Sequence, residues 1–220
     1  MRAIITGATG MVGEGVLLEC LNHPDVNQVL VINRRPGGVS HPKLAELIHE
    51  DFFNLAPIEE RLAGFDACFF CLGVSSVGTP ESEYERITYG ITLAAAETLV
   101  RLNPAMTFVY VSGAGTDSSE HGCVAWARVK GRTENALLAL PFKAAYMFRP
   151  GVIQPLDGIQ AKTASVRIFY SLTKPLLPML RRAFPAHILT TAQIGRAMLI
   201  VARTGAPKHV LETRDISALA

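Results

Sequence analysis

The sequence predicts an α/β fold in which helices cover both faces of a mostly parallel β-sheet. Strand-like and helix-like stretches alternate along the chain, and several strands are apolar throughout instead of alternating with polar residues. Continuous apolar runs are typical of parallel strands, because helices bury both faces of a parallel sheet. The 220 residues, of which 49% are hydrophobic, suit one domain spanning residues 1–220.

The first half of the chain contains four predicted strands. Residues 3–6 form a short β-branched run before a glycine-rich loop, and the helix predicted for residues 11–21 stops near Asn22-His23-Pro24. Residues 28–34, 47–51 and 66–73 are the next strands, and 47–51 is the weakest of them. Right-handed crossovers would place the strand ends along one edge of the sheet, where ligands bind in such folds.

The second half continues the alternation. A long helix is predicted for residues 81–102, ended by Asn103-Pro104, and a fifth strand for residues 107–115. A helix at 124–140 tolerates Gly131, and a sixth strand follows at 143–151. A last helix is predicted at 190–202 with Thr190 as its cap, and residues 209–213 are predicted as an edge strand.

Composition argues against several classes of function. The formal net charge of +2 is too small to indicate nucleic-acid binding. Cys68 and Cys71 lie in the apolar run ACFFCLG, which favours a buried strand over a redox pair or a zinc site. The N-terminus lacks a signal-peptide pattern, and no stretch approaches the ~20 apolar residues of a membrane span. We therefore expect a cytoplasmic protein without an integral membrane segment, as a monomer or homodimer.

The segment TGATGMVG, residues 6–13, carries three glycines between the first strand and the first helix. A dinucleotide-binding loop needs this placement. The first glycine can take an unusual turn dihedral, the second lets the backbone approach a diphosphate, and the third lets the helix pack close to the sheet. Free N–H groups at the helix start would then face the phosphates. The residues assigned to this loop are Gly7, Thr9, Gly10, Met11, Val12 and Gly13.

The second strand ends in VINRRPGG, with Arg34 and Arg35 where a carboxylate would favour NAD. A guanidinium can pair with a 2′-phosphate through two hydrogen bonds, so the sequence predicts NADP(H), with Arg34 as the first choice because it is nearer the strand end. The alternative is a pair of solvated loop arginines. Sheet geometry assigns further strand ends to the cofactor: Asp51 and Phe52 beside the adenine, and Cys71, Leu72 and Gly73 beneath the ribose.

With these motifs the chain resembles the atypical short-chain dehydrogenases/reductases. The likeness is strongest to the NAD(P)H-binding, epimerase-like branch that includes Tat-interacting oxidoreductase-like proteins. The glycine spacing matches the superfamily's TGxxGxxG, and FFCLG, VKGRTENAL and FRPGV resemble stretches of the branch in the same order, across residues 2–203. The resemblance implies a Rossmann-type fold that binds NADP(H) at the sheet edge, with Pro150, Gly151 and Val152 at the cofactor.

The resemblance also implies a Ser, Tyr, Lys set with Tyr-x-x-x-Lys on a helix. Ser112 is the nearest match to the serine, with Thr116 and Ser118 as fallback hydroxyls. Lys130 matches the lysine, which would also hold the nicotinamide ribose. The pentapeptide WARVK puts Trp126 where the family has tyrosine. An indole N–H does not titrate usefully and cannot replace the phenol as proton donor.

Three other residues are candidates for the missing proton donor. Tyr89 lies on the long predicted helix and is assigned the catalytic role together with Ser112 and Lys130; His121 and Tyr110 are the alternatives. Helix geometry also allows a purely structural interpretation of WARVK. Residues four apart share a helix face, so the indole could pack at the rim while the lysine extends its ammonium to solvent.

Residues 156–187 differ in composition from the rest of the chain, with five basic residues, one acidic residue and many interleaved apolar side chains. The resemblance implies that this segment closes over the substrate, and a basic, apolar lid would suit an anionic or lipid-like substrate. The alternatives are a helix that associates weakly with a membrane surface, or an ordinary lid or dimer helix.

Two functional hypotheses follow. The first is an NADP-dependent oxidoreductase or epimerase-like enzyme acting on a small carbonyl or sugar-like substrate. The second is a non-catalytic NADPH-binding protein whose cofactor state controls binding to a partner. Both hypotheses need the glycine loop and Arg34, but only the first needs a proton donor.

Overall fold

The structure, a computed structural model, describes residues 1–155 and 188–220. Their strands are β1 (Arg2–Thr6), β2 (Gln28–Asn33), β3 (Leu44–Ile48), β4 (Ala67–Phe70), β5 (Thr107–Val111), β6 (Ala144–Arg149), β7 (Val152–Gln154), β8 (Ile188–Thr190) and β9 (Val210–Glu212). Seven strands form one sheet in the order β3-β2-β1-β4-β5-β6-β9, and every pairing within it is parallel. The predicted Rossmann-type doubly wound fold is therefore confirmed.

Helices connect these strands. They are α1 (Met11–Asn22), α2 (Glu81–Glu85), α3 (Ile91–Leu102), α4 (Ala125–Ala139), α5 (Thr191–Thr204) and α6 (Thr213–Leu219), with a 3-10 helix at Ala56–Arg61. A π-helical turn at Arg86–Gly90 joins α2 to α3, so the long helix predicted for residues 81–102 is continuous but locally widened.

The two faces of the sheet bury separate apolar cores. One core packs the sheet against α1, α5 and α6, and the other packs it against α3 and α4. Ile4 and Ile5 are neighbours in β1, and both are fully buried, one in each core. Successive side chains of a strand point to opposite faces, so a strand buried on both faces needs the continuous apolar run seen in the sequence.

Several element boundaries differ from the predicted ones. β3 begins three residues earlier than predicted, because pairing with β2 from Val29 to Asn33 fixes it at 44–48, although Ile48 is exposed. β5 stops at Val111 because the chain then turns through glycines, of which Gly115 has a φ of 86°. The short pair of β7 and β8 lies outside the main sheet. The segment at 156–187, predicted as a lid, lies outside the described residues.

The predicted threonine cap of the last long helix is confirmed. The Thr190 hydroxyl accepts a hydrogen bond from the Gln193 amide at 3.1 Å, and the Gln193 side chain accepts one from the Thr190 amide at 3.0 Å. This reciprocal capping box satisfies two N–H groups at the start of α5. The predicted edge strand is also present, as β9 beside β6.

The described residues contain neither a membrane-spanning helix nor a cluster of metal-binding side chains. In residues 1–155 and 188–220, no helix is long and apolar enough to cross a membrane. The same part of the chain holds no group of three or more His, Cys, Asp or Glu side chains that could bind a metal ion.

Candidate functional site

The carboxyl ends of the strands form one edge of the sheet, with β1 between β2 and β4. A cleft of about 740 Å³ opens there above β1 and β2. Its lining comprises the glycine loop, the end of β2 and the segments after β3 and β4, namely Gly7, Thr9, Ile32, Asn33, Arg34, Arg35, Pro36, Glu50, Phe52 and Leu72. Ligand sites of parallel α/β sheets lie at this edge.

The glycine loop is packed too closely for side chains at two of its positions. Gly7 has a φ of 69°, and a Cβ on it would lie 2.6 Å from the Cys71 carbonyl oxygen. A Cβ on Gly13 would lie 2.2 Å from the Gly7 carbonyl oxygen, so α1 begins directly against the loop. These contacts explain why both positions need glycine.

The first turn of α1 follows the glycine loop, although Gly10, Met11, Val12 and Gly13 are not among the residues that line the cleft. Gly10 occupies the N-cap position, and no side chain caps the helix there. The backbone N–H groups of Met11, Val12 and Gly13 form that first turn, where most donors lack helical partners and the helix dipole is positive. The loop and helix start therefore fit a diphosphate, which is the group that such a cradle binds.

The end of β2 brings two cations to the cleft. The side chains of Arg34 and Arg35 are exposed and line it, and neither guanidinium forms a hydrogen bond or ion pair with another described residue. The preceding Asn33 is buried and donates a hydrogen bond from Nδ2 to Glu46 Oε1 at 2.7 Å. The same Glu46 oxygen accepts a hydrogen bond from the Gly37 amide at 2.8 Å.

The segments after β3 and β4 hold the other predicted cofactor residues. Phe52 is buried and lines the cleft, whereas the Asp51 carboxylate accepts a hydrogen bond from the Phe53 amide at 2.9 Å and is outside the lining. Leu72 lines the cleft, and a Cβ on Gly73 would have open space around it. Burial raises the pKa of Cys71 to about 12, so its thiol stays protonated at neutral pH.

At β5 and β6, polar side chains bond to one another. The Ser112 hydroxyl donates to Glu134 Oε1 at 2.5 Å and lies 3.1 Å from the Phe148 carbonyl oxygen. Arg149 pairs with both oxygens of Glu134, through Nε at 3.0 Å to Oε1 and through Nη2 to Oε2. The carboxylate of Glu134 is only 1% exposed. The hydroxyl assigned to polarise a substrate is thus hydrogen-bonded into the interior.

Two further contacts extend this network. Arg149 donates to Ser118 Oγ at 2.5 Å and to Glu212 Oε1 at 3.0 Å. Its pairing with Glu134 and, to a smaller extent, with Glu212 raises the pKa of the guanidinium. Thr116, the other fallback hydroxyl, donates to the Gly113 carbonyl oxygen at 2.7 Å. Arg149 therefore joins the ends of β6 and β9 to the β5–α4 loop.

Lys130 lies on α4 beside the same loop. Its ammonium donates to the Ser112 carbonyl oxygen. Burial lowers the pKa of Lys130 to about 8, and the nearby Glu134 carboxylate opposes part of that shift. Gly131 lets the loop approach, because a Cβ there would lie 1.8 Å from the Asp117 carbonyl oxygen. The glycine tolerated in the predicted helix is therefore the contact point between α4 and the loop.

Trp126 is half-buried and packs on the loop. The Cη2 atom of its indole lies 3.6 Å from the position that a Cβ on Gly115 would take. Tyr89 is directed elsewhere: the Arg132 guanidinium lies 4.5 Å from the centre of its ring, and Arg132 also pairs with Glu85. The structure thus records no contact that brings Tyr89 to Ser112 or Lys130 within the described residues.

The alternative proton donors have different environments. Tyr110 is buried, and desolvation raises the pKa of its phenol above the usual value. His121 is exposed in the loop before α4. Neither is recorded in hydrogen-bond contact with Ser112 or Lys130 within the described part of the chain. Pro150 accepts a hydrogen bond from the Ala114 amide at 2.9 Å, and the adjoining Gly151 and Val152 are exposed.

Sequence reasoning missed Glu46, Glu134 and Arg149. Glu134 and Arg149 belong to the stretches VKGRTENAL and FRPGV, which the family resemblance had singled out. Nothing in either stretch indicates that the two side chains form an ion pair. Glu46 was not considered as a site residue, because it lies just before the strand predicted at residues 47–51.

A model of the NAD dependent epimerase/dehydratase family matches residues 3–122, which include the glycine loop and the ends of β1 to β5. The chain belongs to the NAD dependent epimerase/dehydratase family. The resemblance to atypical, epimerase-like short-chain dehydrogenases/reductases is thereby confirmed.

Curated members of similar sequence carry a common name. Protein FMP52, mitochondrial, of Meyerozyma guilliermondii is 25% identical over 206 residues, 92% of this chain and 85% of that protein. Protein fmp52-1, mitochondrial, of Aspergillus terreus is 31% identical over 159 residues, 68% of this chain and 65% of that protein. The second match therefore spans slightly less than two thirds of its relative. Both relatives are named mitochondrial, and on this finding the predicted cytoplasmic location is wrong.

Solved structures share the fold of this epimerase/dehydratase family member. WbmF of Bordetella bronchiseptica, in complex with NAD+, has a TM-score of 0.69 and 14% identity over 99% of this chain and 76% of that chain. ElxO with NADPH bound has a TM-score of 0.67 and 14% identity over 99% and 98% of the two chains. At this identity the likeness establishes the fold alone.

Proposed function

We propose that the protein binds NADP(H) along the carboxyl edge of the sheet and acts as an oxidoreductase or epimerase-like enzyme on a small carbonyl or sugar-like substrate. The observation that carries the proposal is the pair Arg34 and Arg35, which line the cleft without a described partner. Two cations beside the ribose of a bound dinucleotide favour one that carries a 2′-phosphate. NAD+ and NADPH in the two solved structures support a nicotinamide dinucleotide more generally.

The glycine loop and the first turn of α1 would bind the diphosphate. The bound nicotinamide would supply or accept a hydride near β4 and β5. Lys130 would donate hydrogen bonds from its ammonium to the ribose hydroxyls. The names of the relatives support a mitochondrial setting for this activity.

Proton transfer is the part of the proposed reaction for which the chain lacks the family's usual group. Trp126 occupies the tyrosine position, and the Ser112 hydroxyl donates to Glu134. Both observations favour the second candidate function, an NADPH-binding protein that regulates a partner without redox chemistry. The two candidates share the cofactor site and differ in whether NADPH is consumed.

Calorimetric titration with NADPH and NADH tests the shared part of the proposal. A desolvated, charge-assisted contact to the 2′-phosphate contributes about 1.5–3 kcal/mol, so NADPH should bind roughly tenfold to a hundredfold more tightly than NADH. Arg34→Ala should remove most of that preference, and Arg35→Ala less of it, because Arg35 is further from the strand end. Equal affinities for the two dinucleotides, or an unchanged preference in Arg34→Ala, would refute the proposal.

A further inference from the structure

Glu46 lies on β3, yet it holds both sides of the segment that carries the two cleft arginines. Its Oε1 accepts hydrogen bonds from Asn33 Nδ2, just before Arg34, and from the Gly37 amide, just after Pro36. These two donors flank residues 34–36, and all three flanked residues line the cleft. One carboxylate oxygen therefore joins the two ends of the loop after β2. We call these two hydrogen bonds, from Asn33 and Gly37 to Glu46, the clasp.

The clasp lies close to Thr9 of the glycine loop. A Cβ on Gly37 would lie 3.2 Å from Glu46 Oε1, 3.3 Å from Asn33 Nδ2 and 3.7 Å from Thr9 Cγ2. Glu46, Asn33 and Thr9 thus border the space beside Gly37, so the arginine segment, held by its hydrogen bonds to Glu46, lies next to the loop that would hold the diphosphate. Such fixation reduces the conformational entropy that two flexible arginines lose when they bind an anion.

We propose that Glu46 is a positioning residue that sets the preference for a 2′-phosphorylated dinucleotide, acting through the hydrogen bonds that hold the Arg34–Arg35 segment. The inference rests on the proposed NADP(H) site and adds to it a residue on the neighbouring strand. The negative charge of Glu46 opposes NADPH binding, because a carboxylate near a phosphate site repels the phosphate. The hydrogen bonds of the clasp, and not the charge of Glu46, therefore favour NADPH.

Two substitutions separate the geometry from the charge. Glu46→Ala removes both hydrogen bonds, whereas Glu46→Gln keeps an oxygen that can accept them and removes the charge. NADH serves as the internal control, because it lacks the phosphate that the arginines would contact. Glu46→Ala should weaken NADPH binding about tenfold while NADH binding changes less than about threefold. Glu46→Gln should bind NADPH at least as tightly as the unmodified protein, with a gain of up to about threefold.

A second readout needs no cofactor. The Gly37 amide donates to Glu46, so its hydrogen exchange should accelerate in Glu46→Ala and stay slow in Glu46→Gln. The inference is overturned if exchange at Gly37 is the same in all three proteins, if Glu46→Ala keeps the cofactor preference, or if Glu46→Gln behaves like Glu46→Ala. An unmodified protein that binds NADPH no better than NADH refutes the proposed function instead, and the exchange experiment still reports whether the clasp exists.

Discussion

The two ends of the candidate site differ in whether their polar groups are hydrogen-bonded within the protein. At the glycine-loop end, formed by residues 7–13 and 33–37, two guanidinium groups line a cleft and no side chain caps the start of α1. At the serine–lysine end, formed by Ser112, Lys130, Glu134 and Arg149, the polar groups bond to one another. A site prepared for a ligand exposes donors, whereas a network whose donors are used internally stabilises the fold.

From this contrast we expect the glycine-loop end to matter more for cofactor binding than the serine–lysine end matters for chemistry. The glycine-loop end has the properties of a prepared anion site. The serine–lysine end holds residues that the family resemblance assigns to the Ser, Tyr, Lys set, but the Ser112 hydroxyl donates to Glu134, and Trp126 stands where the resemblance expects the tyrosine. Three experiments test this difference through stability, NADPH binding and carbonyl reduction, and they follow in order of decreasing expected effect.

Breaking the buried pair should have the largest effect. Arg149→Met leaves the Glu134 carboxylate, which is 1% exposed, without its ion partner, and should lower the free energy of unfolding by about 3–5 kcal/mol. Urea denaturation at neutral pH measures the change. Glu212→Gln is the matched control, because it removes a partner of the same arginine whose side chain is 52% exposed, and it should lower the free energy by less than about 1 kcal/mol. Similar losses in the two variants would contradict the structural role of the network.

The buried pair also shows where sequence reasoning stops. The sheet could be predicted because burial of both faces leaves a continuous apolar run in a strand such as residues 29–32, whose pattern needs no tertiary information. The pairing of Glu134 with Arg149 could not be predicted, since it joins α4 to the end of β6 and depends on how these two elements pack.

Glu46 was missed for a different reason. β3 was predicted at 47–51 as the weakest strand, but its register with β2 places it at 44–48, where Ile48 is 47% exposed. The shift brings Glu46 into the strand and within reach of Asn33. Both ranges contain Leu47 and Ile48, and the pairing with β2 selects the earlier one, so the bounds of a weak edge strand are hard to place from sequence. The glycine loop and Arg34 were easier, because local spacing alone marks them.

Lys130 belongs to the serine–lysine end but would also bind the proposed cofactor, so the effect of replacing it should be intermediate. Lys130→Met should weaken NADPH binding by about 1–2 kcal/mol, roughly tenfold, if the ammonium bonds the ribose hydroxyls. The pKa of Lys130 lies at about 8, so the ammonium is lost as pH rises through that value and NADPH affinity should fall there. Titrations from neutral to alkaline pH should show this fall in the unmodified protein and a smaller one in Lys130→Met. If Lys130→Met binds NADPH with unchanged affinity, Lys130 does not hold the cofactor and WARVK is an ordinary packed helix segment.

The smallest effect is expected from restoring the phenol. Trp126→Tyr puts a titratable hydroxyl four residues before Lys130, which lets the cation lower the pKa of the phenol. Carbonyl polarisation still requires a donor, and the Ser112 hydroxyl donates to Glu134, so NADPH-dependent reduction of a probe aldehyde such as 4-nitrobenzaldehyde should rise only severalfold from a low level. Trp126→Phe is the control and should leave that low level unchanged. A rise of several hundredfold in Trp126→Tyr would mean that Ser112 turns readily toward substrate and that the serine–lysine end is a catalytic site lacking one group. Brisk reduction by the unmodified protein that survives Trp126→Phe would instead mean that another residue, such as Tyr89, donates the proton.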